Sequence, residues 1–213
     1  MRFIVLAFGF LASLAACAQD APAEEKFKEG EHYKVLASPV RTITPGKIEV
    51  TEAYAYSCGH CFKFEPLIKA WEKNQPEDVK LVKLPVVWNP SMQILARTMY
   101  TGEALGMKDK VNKAVFDYFH VDHKQLKSED DVAAIFAELG VSKEKFSKTF
   151  NSFGVSSQVQ QAESRTKAMD VRGTPQMIVG GKYTVSATRD LGHEGMLQVV
   201  NFLVKKVRAE GDS

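Results

Sequence analysis

The stretch Lys47-Ile48-Glu49-Val50-Thr51-Glu52-Ala53-Tyr54-Ala55-Tyr56-Ser57-Cys58-Gly59-His60-Cys61-Phe62-Lys63-Phe64-Glu65-Pro66-Leu67-Ile68-Lys69-Ala70-Trp71 decides the fold. Residues 47–56 are β-rich and read as a buried strand. Phe64, Leu67, Ile68 and Trp71 then recur at helical spacing, and Pro66 inside that run predicts a kink. Two cysteines, separated by Gly59 and His60, therefore sit at a strand-to-helix junction, with Cys58 at the helix N-terminus.

The chemistry follows from that position. Unpaired amides and the positive end of the helix dipole stabilise a thiolate. A protonated His60 adds a nearby positive charge. A disulfide whose reduced form is stabilised in this way is a strong oxidant. Cys58 is expected to be the exposed, attackable sulfur. Cys61, one turn inside, is expected to be buried and to resolve mixed disulfides. Rival uses of the pair fit less well. A zinc site commonly has four ligands, often a second Cys pair or a His pair at suitable spacing. Here His120 and His123 lie far along the chain, in a segment that reads as helical, so no metal and no cofactor are expected. Covalent haem needs His directly after the second Cys, where Phe62 stands. A purely structural disulfide at this spacing is unusual.

Outward from this junction, Val79–Val87 reads as the next strand, so strand, helix and strand make a parallel βαβ unit. The character then turns helical over residues 89–169. Ser128-Glu129-Asp130-Asp131 resembles a helix start, Gly140 ends that helix, and Ser142 caps the next. Gln176–Val179 and Tyr183–Val185 flank Gly180-Gly181-Lys182 and read as a hairpin. A closing amphipathic helix carries Met196, Leu197, Val200, Leu203 and Val204 and ends in Lys205-Lys206-Val207-Arg208. The expected organisation is one α/β domain over 31–88 and 170–208, with a helical subdomain inserted at 89–169.

The 213 residues suit one domain carrying an insertion, and 45% hydrophobic content rules out disorder. A net charge of +2, from 28 basic and 26 acidic residues, argues against a nucleic-acid partner. Residues 1–18 read as a secretory signal: Arg2, then an apolar run from Phe3 to Leu14 too short to span a membrane, then small residues. Two processing patterns fit. Ala16-Cys17-Ala18 matches small-x-small cleavage before Gln19. Leu14-Ala15-Ala16-Cys17 resembles the bacterial lipobox, in which Cys17 would carry lipid. Either way the third cysteine belongs to export, and the mature chain holds one pair in a compartment that favours disulfides.

With these features the chain resembles the thioredoxin superfamily and, within it, the DsbA family of periplasmic thiol:disulfide oxidoreductases. The resemblance runs from about Glu31 to Arg208. It rests on Cys58 to Glu65, the helical block, Asn151-Ser152-Phe153, and Val171-Arg172-Gly173-Thr174-Pro175 with Gly180-Gly181-Lys182-Tyr183 after it. It implies a thioredoxin fold with an inserted all-helical subdomain. Pro175 matches the cis-proline that faces the disulfide and, with Thr174, lets an extended substrate lie alongside. Glu52, six residues before Cys58, matches the family's buried acid, and Lys83 its charged neighbour. The implied partners are reduced or unfolded exported proteins and a DsbB-type, quinone-linked inner-membrane oxidase, with the protein acting as a periplasmic monomer, soluble or anchored at Cys17. Two positions depart from the pattern. Gly59-His60 stands where the best-known members carry Pro-His. Thr174 stands where many carry Val and the disulfide isomerases carry Thr. The alternatives are therefore an isomerase or reductase of DsbC/DsbG-like character, which the dozen or so polar residues before the first expected strand argue against, and a chaperone-like binder of extended chains.

Overall fold

The computed structural model describes residues 26–211; the expected signal segment 1–18, with Cys17, lies outside them. The elements are β1 (Lys34–Val35), β2 (Ile48–Tyr54), α1 (Gly59–Lys73), β3 (Val79–Pro85), α2 (Gln93–Ala104), α3 (Lys108–His120), α4 (Glu129–Glu138), α5 (Lys143–Phe150), α6 (Phe153–Ala168), β4 (Gln176–Val179), β5 (Tyr183–Ser186) and α7 (Gly192–Gly211). One sheet has the order β1-β5-β4-β2-β3. β2 and β3 run parallel, with Glu52 opposite Lys83. β4 runs antiparallel to both β2 and β5. This is the thioredoxin fold, and α2 to α6 are the helical insertion between β3 and β4.

Side chains alternate across β2 and so divide the core. Val50 joins Phe64, Ile68 and Trp71 of α1 and Met196, Val200 and Leu203 of α7 on one side of the sheet. Ala53 faces the other side, with Ile178, Val159 and Ala162. A third cluster fills the insertion with Phe116, Phe136, Phe146 and Phe150 and reaches Tyr54, Tyr56 and Cys61. One wall of the cysteine site is therefore the inserted subdomain.

Local signals formed what their chemistry favours. Ser128 makes a capping box with Asp131, and Ser142 and Ser152 cap α5 and α6 through their side chains. α1 runs unbroken through Pro66. The hairpin turn has Gly180 and Gly181 at φ +60° and +64°; a Cβ on Gly181 would lie 2.0 Å from the Val40 carbonyl oxygen. One strand escapes the sequence reading: β1 is two residues long and exists only because it pairs with β5 at the sheet edge, so it has no periodicity to read. His123 corrects the sequence reading, which placed it in a helical segment. It stands beyond the end of α3 with φ 56°, whereas His120 is the last residue of that helix.

Candidate active site

Cys58 is the N-cap of α1, with extended backbone (φ −88°, ψ 113°). Its sulfur accepts from the Cys61 amide at 3.3 Å. Cys58 is partly exposed, Cys61 fully buried, and both are free thiols. The Cys58 thiol is lowered from 9.0 to about 5, first by a hydrogen bond from the Cys61 thiol. Burial opposes this, while the Thr174 side chain and the amides of Cys61 and His60 add to it. The Cys61 thiol is pushed strongly up, first because it serves as the donor to Cys58 and then by burial. His60 thus acts on the sulfur through its backbone N–H as well as being a candidate charge. Its ring lies edge-on to His193, with centroids 6.0 Å apart.

The peptide bond between Thr174 and Pro175 is cis. The Cys58 thiol donates to the Thr174 carbonyl at 3.3 Å, across 116 residues of chain. Beside these groups opens a groove of about 540 Å³, lined in part by His60, Thr174, Pro175, Arg189 and His193. The opposite flank is closed by the insertion. There His120 Nε2 donates to the Tyr56 carbonyl at 2.8 Å, and its ring stacks on Phe62 at 4.9 Å and 18°. A backbone carbonyl can only accept, so this contact requires the proton on Nε2.

Glu52 and Lys83 meet as neighbours in register, Lys83 Nζ lying 2.6 Å from Glu52 Oε2. The ammonium also reaches Glu65 Oε2 of α1 at 2.7 Å and lies 4.5 Å over the Tyr54 ring. One buried cation therefore serves two carboxylates. Burial raises Glu52 above the usual carboxylate value, and the attraction of Lys83 only partly offsets it. Glu52 Oε1 has no hydrogen-bond partner among the described residues. Burial alone would lower Lys83, but Glu52 and Glu65 outweigh it and hold the lysine above its usual value. Glu65 is tied in turn to Asn112 of α3. Among the described residues no group of three or more His, Cys, Asp or Glu side chains is arranged to hold a metal ion.

The arrangement suits exchange of electrons between sulfur pairs, and the comparison with known proteins agrees. The model of the DSBA-like thioredoxin domain matches residues 49–193. The chain belongs to the DsbA family. The thiol:disulfide interchange protein DsbA of Pseudomonas aeruginosa is 38% identical over 205 residues, 96% of this chain and 94% of that protein. The DsbA of Azotobacter vinelandii is 37% identical over 189 residues, 89% of this chain and 87% of that protein. The crystal structure of P. aeruginosa DsbA aligns with TM-score 0.84 and 36% identity, covering 89% of this chain and 99% of that one. NmDsbA3 of Neisseria meningitidis aligns with TM-score 0.78 and 32% identity, covering 88% and 100%. As a DsbA protein the chain is a thiol:disulfide oxidoreductase.

The structure brings the expected site residues of the mature chain into two groups, one around Cys58 and one around Lys83. Cys58, Gly59, His60 and Cys61 start α1, Thr174 and Pro175 face Cys58, and Glu52 pairs with Lys83. Sequence reasoning overlooked four residues. Glu65 lies two helical turns beyond Cys58, a spacing that could have shown it on the face of α1 turned to β2. Asn112, His120 and His193 have no local signal that ties them to the cysteines.

Proposed function

We propose that this DsbA-family protein oxidises newly exported polypeptides with the Cys58–Cys61 disulfide. The contrast between the two sulfurs carries this reading: Cys58 is accessible and held to about 5, while Cys61 is buried and held high. A substrate thiolate attacks Cys58 Sγ, the S–S bond breaks, and Cys61 leaves and takes up a proton. A second substrate thiolate then attacks the substrate sulfur of the mixed disulfide. Cys58 leaves as a thiolate, which the N-terminus of α1 and Thr174 stabilise. Thr174 and Pro175 hold the extended substrate beside Cys58, and Glu52 with Lys83 moves protons to and from the buried dithiol. The two electrons pass on to a DsbB-type, quinone-linked membrane partner.

In this reading residues 1–18 direct export to the periplasm, where the protein works as a monomer, free or anchored by lipid at Cys17. Residues 31–88 and 170–208 form the redox domain and 89–169 the helical subdomain. Among the described residues no helix is long and apolar enough to cross a membrane. Cys58→Ser is expected to abolish oxidation of a reduced substrate, and Cys61→Ser to accumulate mixed disulfides on non-reducing gels. Equal trapping by both variants would overturn the assignment of Cys58 as the attacked sulfur.

Thr174 favours a second reading, isomerase or reductase, because it precedes the cis-proline at the position where the disulfide isomerases carry Thr. A redox titration against glutathione separates the two. A potential near that of thioredoxin, about −270 mV, would defeat the oxidase.

A further inference from the structure

The groove beside Cys58 has a one-sided charge. Arg189, His60 and His193 line it, together with Thr174, Thr188 and Ser186, and no carboxylate does. Asp190 and Glu194 are the chain neighbours of Arg189 and His193, yet neither contributes to the lining. The His193 ring is fixed in place by packing against His60 at 6.0 Å and Phe64 at 5.1 Å. It is held below the ordinary imidazole value, first by partial burial and then by the positive charges of His60 and Lys63. At neutral pH it is therefore mainly a neutral donor and acceptor, and the permanent charges nearby are Arg189 and Lys63. The one negative group it feels is the Cys58 thiolate. That thiolate exists only in the dithiol form. In the disulfide form, which is the one that meets a reduced substrate, the groove has positive charge with no counter-charge of its own.

We propose that this groove selects polypeptide segments with an acidic side chain next to the reacting cysteine, Arg189 acting as the charge partner and His193 and Thr188 as neutral hydrogen-bonding groups. The inference rests on the oxidase reading. Two physical effects support it. The attacking substrate is itself an anion, a thiolate, so a positive wall draws in the reacting sulfur as well as its neighbour. The groove is open to solvent, so the preference must be modest and must weaken as salt screens it.

The test uses the disulfide form of the protein and two reduced dithiol peptides that differ only in Asp or Lys after the first cysteine. The Asp peptide is expected to be oxidised with a kcat/KM about threefold higher at low ionic strength, the ratio falling toward one in high salt. Arg189→Gln should reduce the low-salt ratio, and Arg189→Glu should invert it. Equal rates for both peptides in the unsubstituted protein would overturn the charge preference while leaving the oxidase reading intact. So would a ratio that both Arg189 variants leave unchanged. Failure to oxidise either peptide, with a reductant-like potential, would instead overturn the oxidase reading and this inference with it.

Discussion

Glu49 and Glu52 stand three residues apart on β2, and both are buried. The odd spacing sends them to opposite faces of the sheet, where they keep different company. Both oxygens of Glu49 are satisfied. Oε1 accepts from Arg165 Nη2 at 2.6 Å and Thr51 Oγ1 at 2.9 Å; Oε2 accepts from the Ile43 amide at 2.7 Å and Thr44 Oγ1 at 3.2 Å. Glu52 has one partnered oxygen, shares its cation with Glu65, and leaves Oε1 bare. Burial alone therefore does not mark a functional acid. A carboxylate held by four donors is fully matched and locks the sheet to α6. A carboxylate with half its partners, beside a cation it must share, is one whose proton moves at small cost.

The largest expected effect tests the fixed member. Glu49→Ala strands the Arg165 guanidinium inside the protein and should cost about 3–5 kcal/mol in urea unfolding, with the reduction potential unchanged. Stability equal to that of the unsubstituted protein would break the comparison. A smaller effect, about 1 kcal/mol, is expected for Glu52→Gln, because Lys83 keeps Glu65 as a partner. Its signature is the dependence on pH. The folded value of Glu52 lies above the ordinary 4.5, so its contribution is complete below 4.5 and is lost as pH rises through the raised value. Unfolding of both proteins across that window should show Glu52→Gln gaining on the unsubstituted chain as pH climbs. The depressed Cys58 acts in the opposite sense, stabilising the dithiol form above 9.0 and losing this as pH falls through about 5. It is common to both proteins and cancels in the difference. The smallest effect concerns Cys58 itself. Its thiolate absorbance should titrate near 5 and stay there in Glu52→Gln. Thr174→Val should raise that midpoint by about half a pH unit, the equivalent of one partly exposed hydrogen bond. A larger move in Glu52→Gln than in Thr174→Val would mean that Glu52, not the donors around Cys58, sets the thiol.

Much of the site was legible because its determinants are local. Cys58 and Cys61 could be placed at a helix start because the apolar spacing of Phe64, Ile68 and Trp71 begins just after them. Glu52 and Lys83 were reachable by their positions in the family pattern, whereas charge alone would have left them as ordinary strand residues. Glu49 illustrates the limit. Its partner Arg165 comes from a helix 116 residues away, and no local property of Lys47 to Tyr56 separates Glu49 from Glu52. The two-residue β1 was illegible for the same reason: pairing with β5 makes it a strand.

By itself the sequence determined where the reactive pair sits, which sulfur caps the helix, where α4 and α5 start and how the β4–β5 hairpin turns. Each of these depends on interactions within a few residues, on unpaired amides at a helix end or on the freedom of glycine at positive φ. Tertiary structure alone decided which distant groups act on that pair. It set Thr174 against Cys58, Glu65 and Asn112 around Lys83, and Arg189 and His193 on the wall of the groove. Desolvation and charge reach only a few ångströms, and which side chains lie within that reach is settled by packing, not by order along the chain.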